Sequence, residues 1–137
     1  MEGFIIKVGA ESVRFAYYEQ EAPVTCHAFD RLLPFRLTLM HARVSGQEIW
    51  TDQSPKLDII QENSSVFTMP GEVVLGPMKP VRSKTRNAMG IYYGEGKGLD
   101  GCNIFARAVA DDMDTLKMIG EKIWKGGVLA AVFERMP

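Results

Sequence analysis

The stretch "GKGLDGCNIFARAVADDMDTLKMI", residues 96–119, supports two readings that lead to different folds. It opens with Gly96, Gly98 and Gly101 in the spacing G-x-G-x-x-G, directly after an apolar run, Ala88 to Tyr93, that reads as a strand. A dinucleotide-binding loop has that order: a strand, then glycines, then a helix whose N-terminus receives the pyrophosphate. Phe105, Val109, Met113 and Leu116 even fall on one helical face. Yet such a unit comes early in a chain and is followed by more strand and helix pairs. Here only one strand follows residue 126, and the upstream half reads as hairpins, which supply no parallel strands. A P-loop is excluded more directly, because Ile91 stands where its first glycine is needed and Gly98, not Ser or Thr, follows Lys97.

The second reading divides the stretch in two. From Asn103 to Ala110 the side chains alternate, with Ile104, Ala106, Ala108 and Ala110 opposite Phe105, Arg107 and Val109, which is a strand. Asp111, Asp112 and Asp114 then begin a helix as capping residues, and Met113, Leu116, Ile119 and Ile123 repeat at helical spacing until Gly126 and Gly127 end it. The acidic run is assigned to capping rather than to a metal, since no His or Cys stands near it in sequence. On this reading Gly96 to Gly101 is a turn between two strands of a sheet.

The rest of the chain agrees with a sheet. Phe4 to Gly9 and Glu11 to Tyr18 alternate cleanly around Gly9 and Ala10, as a hairpin does. "APVTCHAFDRLLP" then changes period: Pro23 suits a first helical turn, Val24, Ala28, Phe29 and Leu32 share a face, and Pro34 stops the helix. Period two resumes over Leu37 to Val44 and Gln47 to Thr51, separated by Gly46. Leu57, Ile59 and Ile60 suggest a short edge strand, and Val66 to Met69 and Glu72 to Leu75 flank a Pro70-Gly71 turn. Lys79 to Asn87 is basic and nearly devoid of apolar residues, hence an exposed loop, and Gly127 to Arg135 is a final strand.

A chain of 137 residues suits one domain, expected to span 1–137. Its 16 basic and 17 acidic residues give a net charge of -1, so there is no field to attract nucleic acid or an anionic membrane. Met1 to Val8 carries neither a signal-peptide pattern nor a membrane span, and a cytoplasmic location is expected. Cys26 and Cys102 are too few for a disulfide framework and are read as reduced, buried small side chains. Neither His27 nor His41 has a nucleophile and carboxylate at triad spacing, and Tyr92 and Tyr93 with Arg82 and Arg86 lack an RNA-binding motif.

Several motifs in order carry a resemblance. Leu99-Asp100-Gly101, Phe105, Val109 and Met113-Asp114 stand where cyclophilins have a Trp-Leu-Asp-Gly turn, a His-x-x-Phe-Gly-x-Val strand and a Gly-Met-Asp helix start. "EAPVTCHAFDRLLP" resembles the first cyclophilin helix, and "GEVVLGP" with "NAMGIYYG" resembles the two central strands. Gly46 to Trp50, Pro70 to Val74 and Ile91 to Gly94 are similar to small bacterial cyclophilin-like proteins of unknown function. The resemblance implies a mainly β fold: a closed antiparallel barrel of about eight strands with two covering helices.

The resemblance also implies where a site would lie. Cyclophilins that isomerise prolyl bonds use an arginine after a Phe-His motif, and Met40-His41-Ala42-Arg43 is the nearest match. On one strand Leu37, Leu39, His41 and Arg43 would share a face, while Thr38, Met40, Ala42 and Val44 would point into the barrel. Three departures stand against isomerase activity: the family's loop tryptophan is Gly98 here, its histidine is Asn103, and its Phe-Met-x-Gln run has no match, Gln47 to Trp50 occupying that stretch. The expected site is a groove lined by His41, Arg43, Trp50, Met89 and Tyr93 that binds a small molecule or short peptide, with no cofactor and no metal. Two alternatives remain open: a prolyl isomerase with a diverged site, and an interaction subunit that forms a homo-oligomer through Trp50 or the Met78 loop.

Overall fold

Alternating apolar side chains decide the first elements of the computed structural model, in which residues 1–79 and 84–137 are described. Phe4, Ile6 and Val8 of β1 (Gly3–Val8) and Val13, Phe15 and Tyr17 of β2 (Glu11–Tyr17) all turn inward. The two strands pair antiparallel from Gly3 opposite Ala16 to Val8 opposite Glu11. Gly9 makes this turn at φ +60, a conformation that costs glycine little.

Pro23 opens α1 (Pro23–Asp30) at a position where a missing N–H costs nothing. The helix has no side-chain cap of its own. Its free amides are met instead by Glu62, whose carboxylate accepts from the N–H groups of Val24 at 3.2 Å and Thr25 at 2.8 Å. The anion thus sits at the positive end of the helix. The inward face is Thr25, Cys26, Ala28 and Phe29, so the expected Val24 is corrected: it is 55% exposed.

The remaining strands are β3 (Phe35–His41), β4 (Gly46–Thr51), β5 (Ser64–Phe67), β6 (Glu72–Leu75), the long β7 (Met89–Ala108) and β8 (Leu129–Arg135). All pair antiparallel. The order β2-β1-β8-β3-β4-β7 continues through β6, which lies between the two ends of β7: Val73 pairs with both Ile91 and Ala106. Phe15 opposite Ala108 then joins the far end of β7 to β2, so the hydrogen bonds close into a ring. β5 lies along the middle of β7, with Phe67 opposite Lys97 and Ser65 opposite Cys102.

The glycine stretch is therefore not a turn. Gly96 lies within β7 opposite Gly46, and the strand runs through all of residues 89–108. The reason is close approach: a Cβ at Gly96 would collide with the Ser45 carbonyl oxygen and the Tyr92 ring. Residues without side chains let the strand bend while neighbouring chain crosses it.

α2 (Met113–Gly126) follows a 3-10 turn at Ala110–Asp112 and buries Leu116, Ile119 and Ile123, as the helical spacing requires. Gly127 ends it at φ +99. The capping role assigned to Asp112 needs correction. Its carboxylate accepts from the Arg14 backbone N–H at 2.8 Å and from the Arg14 guanidinium at 2.9 and 3.0 Å, tying the start of α2 to β2. No strand forms at Leu57 to Ile60, where Ile59 is buried as part of an irregular crossing and Ile60 is exposed.

Inside the ring lies an aromatic core in which Phe4, Phe15, Phe29, Phe105 and Phe133 are fully buried. Phe29 of α1 stands 4.8 Å from Phe4 and 4.9 Å from Phe105, between centroids. Leu37 and Leu39 of β3 join it, and Thr38 is exposed. The expected interior set on this strand is thus corrected: the inward face is the one that carries His41. Among the described residues no helix is long and apolar enough to cross a membrane.

Candidate functional site

On β4 the pattern of the core continues, with Ile49 buried at 1% while Glu48 and Trp50 lean out on the opposite face. On β7 Gly90 and Tyr92 share that opposite face, across from Trp50 and Glu48 respectively. Val74 of β6, Tyr92, Cys102 and Ile104 form a second, smaller apolar cluster there, separate from the aromatic core. Outside that cluster opens a cleft of about 220 Å³.

Glu48 lies in this cleft. Its carboxylate accepts a hydrogen bond from the Ser45 hydroxyl and is approached by the Tyr92 hydroxyl. A Cβ at position 90 would collide with the Glu48 carboxylate, so Gly90 is what allows that side chain to lie flat on β7. Burial raises the Glu48 pKa above the ordinary carboxylate range, and the bonds from Ser45 and Tyr92 only partly oppose this. Among the described residues Glu48 makes no ion pair. Trp50, Val74, Met89 and Leu99 give the cleft its apolar walls. Cys102 also lines it, but burial pushes its thiol up to about 11, which leaves it a neutral side chain rather than a nucleophile.

The sequence-expected residues divide between two clefts. Trp50 and Met89 line the one with Glu48. His41 and Tyr93 line a second, more polar cleft with Gln47, Glu121 and Trp124. Arg43 borders both, because it does not lie on β3: the strand ends at His41, and residues 42–45 run between the clefts with Arg43 and Val44 exposed and Ala42 and Ser45 buried. Ala42, Arg43 and Val44 belong to both linings.

In the second cleft His41 is held at both ring nitrogens. The Ala42 carbonyl, 2.8 Å from Nδ1, can only accept, so Nδ1 carries a hydrogen, while Nε2 lies 2.7 Å from the Tyr93 hydroxyl. The Trp124 ring of α2, 61% exposed, lies 4.6 Å from the imidazole between centroids. Tyr93 in turn packs against Gly120, where any side chain on α2 would collide with its ring.

Asn103 does not belong to either cleft. Fully buried, it accepts from the Glu62 N–H at 3.0 Å and donates to the Ile60 carbonyl at 2.9 Å and to Thr25 Oγ1 at 3.1 Å. It fastens the 60–62 crossing and α1 to β7. Gly98 does line the Glu48 cleft. Among the described residues no group of three or more His, Cys, Asp or Glu side chains could hold a metal ion.

Three contributors escaped the sequence reading: Ser45, Glu48 and Tyr92. An acidic residue next to a buried isoleucine on a strand reads as solvent-facing. The available signal was Gly90, a glycine inside an apolar strand, which marks a place where something approaches the backbone closely.

The fold has solved counterparts. McbB, whose structure was determined in complex with tryptophan, superposes with a TM-score of 0.77 at 17% identity over 96% of this chain. The chain spans only 44% of McbB. The hypothetical protein AF2241 from Archaeoglobus fulgidus, known from a solution structure, superposes with a TM-score of 0.68 at 21% identity, over 98% of this chain and 95% of that one. At such identities the likeness shows a shared fold. Residues 5–134 match DUF3830, a family of proteins of unknown function, and the chain belongs to it. No curated protein matches it in sequence.

Proposed function

We propose that residues 1–137 form one cyclophilin-like barrel that binds a small molecule in the Glu48 cleft. The observation that carries this reading is a carboxylate sheltered from water in an apolar, open cleft with no cationic partner among the described residues. Such a group weakens the fold unless something compensates it, and perturbed carboxylates in concave sites commonly serve a ligand. Ser45 and Tyr92 fix the orientation of the carboxylate, Trp50 and Met89 offer apolar surface, and Arg43 stands at the rim. McbB, of which this chain spans 44%, was solved in complex with tryptophan, and a ligand of small-molecule size is in keeping with that. A short peptide is less well served, since residues 42–45 separate the cleft from the His41 side.

A thermal-shift panel of metabolites tests the reading on the wild type, Glu48→Gln and Trp124→Ala. Ligands that raise Tm in the wild type are expected to lose their effect in Glu48→Gln and keep it in Trp124→Ala. The reverse pattern would move the site to the His41 cleft.

A further inference from the structure

The charges around the Glu48 cleft are arranged by sign. Among the described residues the one carboxylate in its lining is Glu48, held on the strand backbone by Gly90, whereas Arg43 and Lys84 are exposed cations at its border. Among the described residues neither Arg43 nor Lys84 has a side-chain ion-pair partner; Lys84 engages Asp100 through its backbone N–H, at 3.0 Å. The same lining includes the apolar side chains of Val44, Trp50, Val74 and Leu99. A ligand that is only apolar would bury the Glu48 carboxylate without a counter-charge, which is costly. A ligand that is only anionic would place like charge beside it.

Resting on the reading of this cleft as a small-molecule site, we infer that its ligand is a zwitterion of the amino-acid type. Its cationic nitrogen meets Glu48, its anionic group meets Arg43 and Lys84, and its apolar body lies along Trp50. The ammonium supplies N–H donors to carboxylate lone pairs that Ser45 and Tyr92 leave open, and an indole face accommodates a neighbouring cation. A volume of about 220 Å³ suits a free amino acid with a large apolar side chain rather than a polymer. The two ends contribute differently. The buried end decides whether a ligand binds at all, and the solvent-exposed end adjusts affinity, because exposed pairs are individually weak.

Isothermal titration with L-phenylalanine, phenethylamine and 3-phenylpropanoate separates the ends, using the wild type, Glu48→Gln and the double variant Arg43→Ala/Lys84→Ala. Phenylalanine is expected to bind tightest, phenethylamine about tenfold weaker, and phenylpropanoate not measurably. The double variant is expected to bring phenylalanine down to the level of phenethylamine and leave the amine unchanged. Glu48→Gln is expected to remove binding of both. Amine and amino acid binding equally, with no effect of the double variant, would overturn the anionic half and leave the small-molecule site standing. If none of the three binds while a neutral apolar compound from the metabolite panel does, the inference falls and the site survives. If nothing in that panel binds either, the reading of the cleft itself fails.

Discussion

The two faces of the sheet at β4 and β7 solve opposite problems. Inward, Ile49 and Ile91 join a core built on Phe4, Phe15, Phe29, Phe105 and Phe133, whose two tyrosines, Tyr17 and Tyr93, place their hydroxyls against Asp30 and His41. Outward, one residue further along the same strands, Glu48 and Tyr92 place a carboxylate and a phenol against a small apolar cluster beside an open cleft. Period two therefore separates, by single residues, the face that stabilises the fold from the face that gives up stability. The comparison teaches where to look for function in this chain: at the burial that stability alone does not explain.

The largest effect should come from breaking the inner face. Phe105→Ala removes a fully buried ring that stacks near Phe4 and packs on Phe29, and is expected to cost about 3–5 kcal/mol in urea unfolding. A loss below about 1 kcal/mol would mean that the core tolerates voids and the contrast with the outer face is overstated.

Changing the outer face should act in the other direction and depend on pH. The folded-state pKa of Glu48 is raised by burial, so its ionised form opposes folding. The stability tied to its protonated form is complete below the unfolded-state value of about 4.3 and is lost as pH rises through the folded value. Glu48→Gln is therefore expected to raise Tm by about 2–4 °C at neutral pH, with the gain shrinking towards pH 4. A variant less stable than the wild type at pH 7 would show that the hydrogen bonds from Ser45 and Tyr92 outweigh burial.

The smallest effect belongs to a surface pair far from either face. Asp112 is partly covered, and the Arg14 bonds, outweighing that burial, hold its pKa below the usual carboxylate value. The contribution is present above the unfolded-state pKa of about 3.9 and lost as pH falls through the folded value. Asp112→Asn should cost about 0.2–1 kcal/mol at neutral pH and nothing in acid, measured by thermal unfolding.

The sequence made the mainly β class legible because alternation survives wherever a strand has one wet face, as in β1, β2 and β8. It misled at Gly96 to Gly101, where local glycine chemistry reads as a turn and only the close passage of Ser45 and Tyr92 explains a continuous strand. At the site, the sequence put His41, Arg43, Trp50, Met89 and Tyr93 in one groove, whereas the structure divides them between two clefts, Trp50 and Met89 in one, His41 and Tyr93 in the other, with Arg43 bordering both. What hid Glu48 was that its burial comes from residues distant in sequence, Gly90 and Tyr92 among them. Arg82 and the centre of the Lys79 to Asn87 segment lie outside the described residues.

The way the ring closes also bears on synthesis. β1 pairs on one side with β2 and on the other with β8, Phe4 facing Phe15 and Arg135, and β2 pairs with the far end of β7. As the chain leaves the ribosome, the opening hairpin must wait for partners more than ninety residues behind it, with Phe4 and Phe15 still uncovered. Distant pairings of this kind slow folding and lengthen the exposure of adhesive surface. For a nascent copy of this protein, the interval before β8 emerges is when protection by a chaperone matters most.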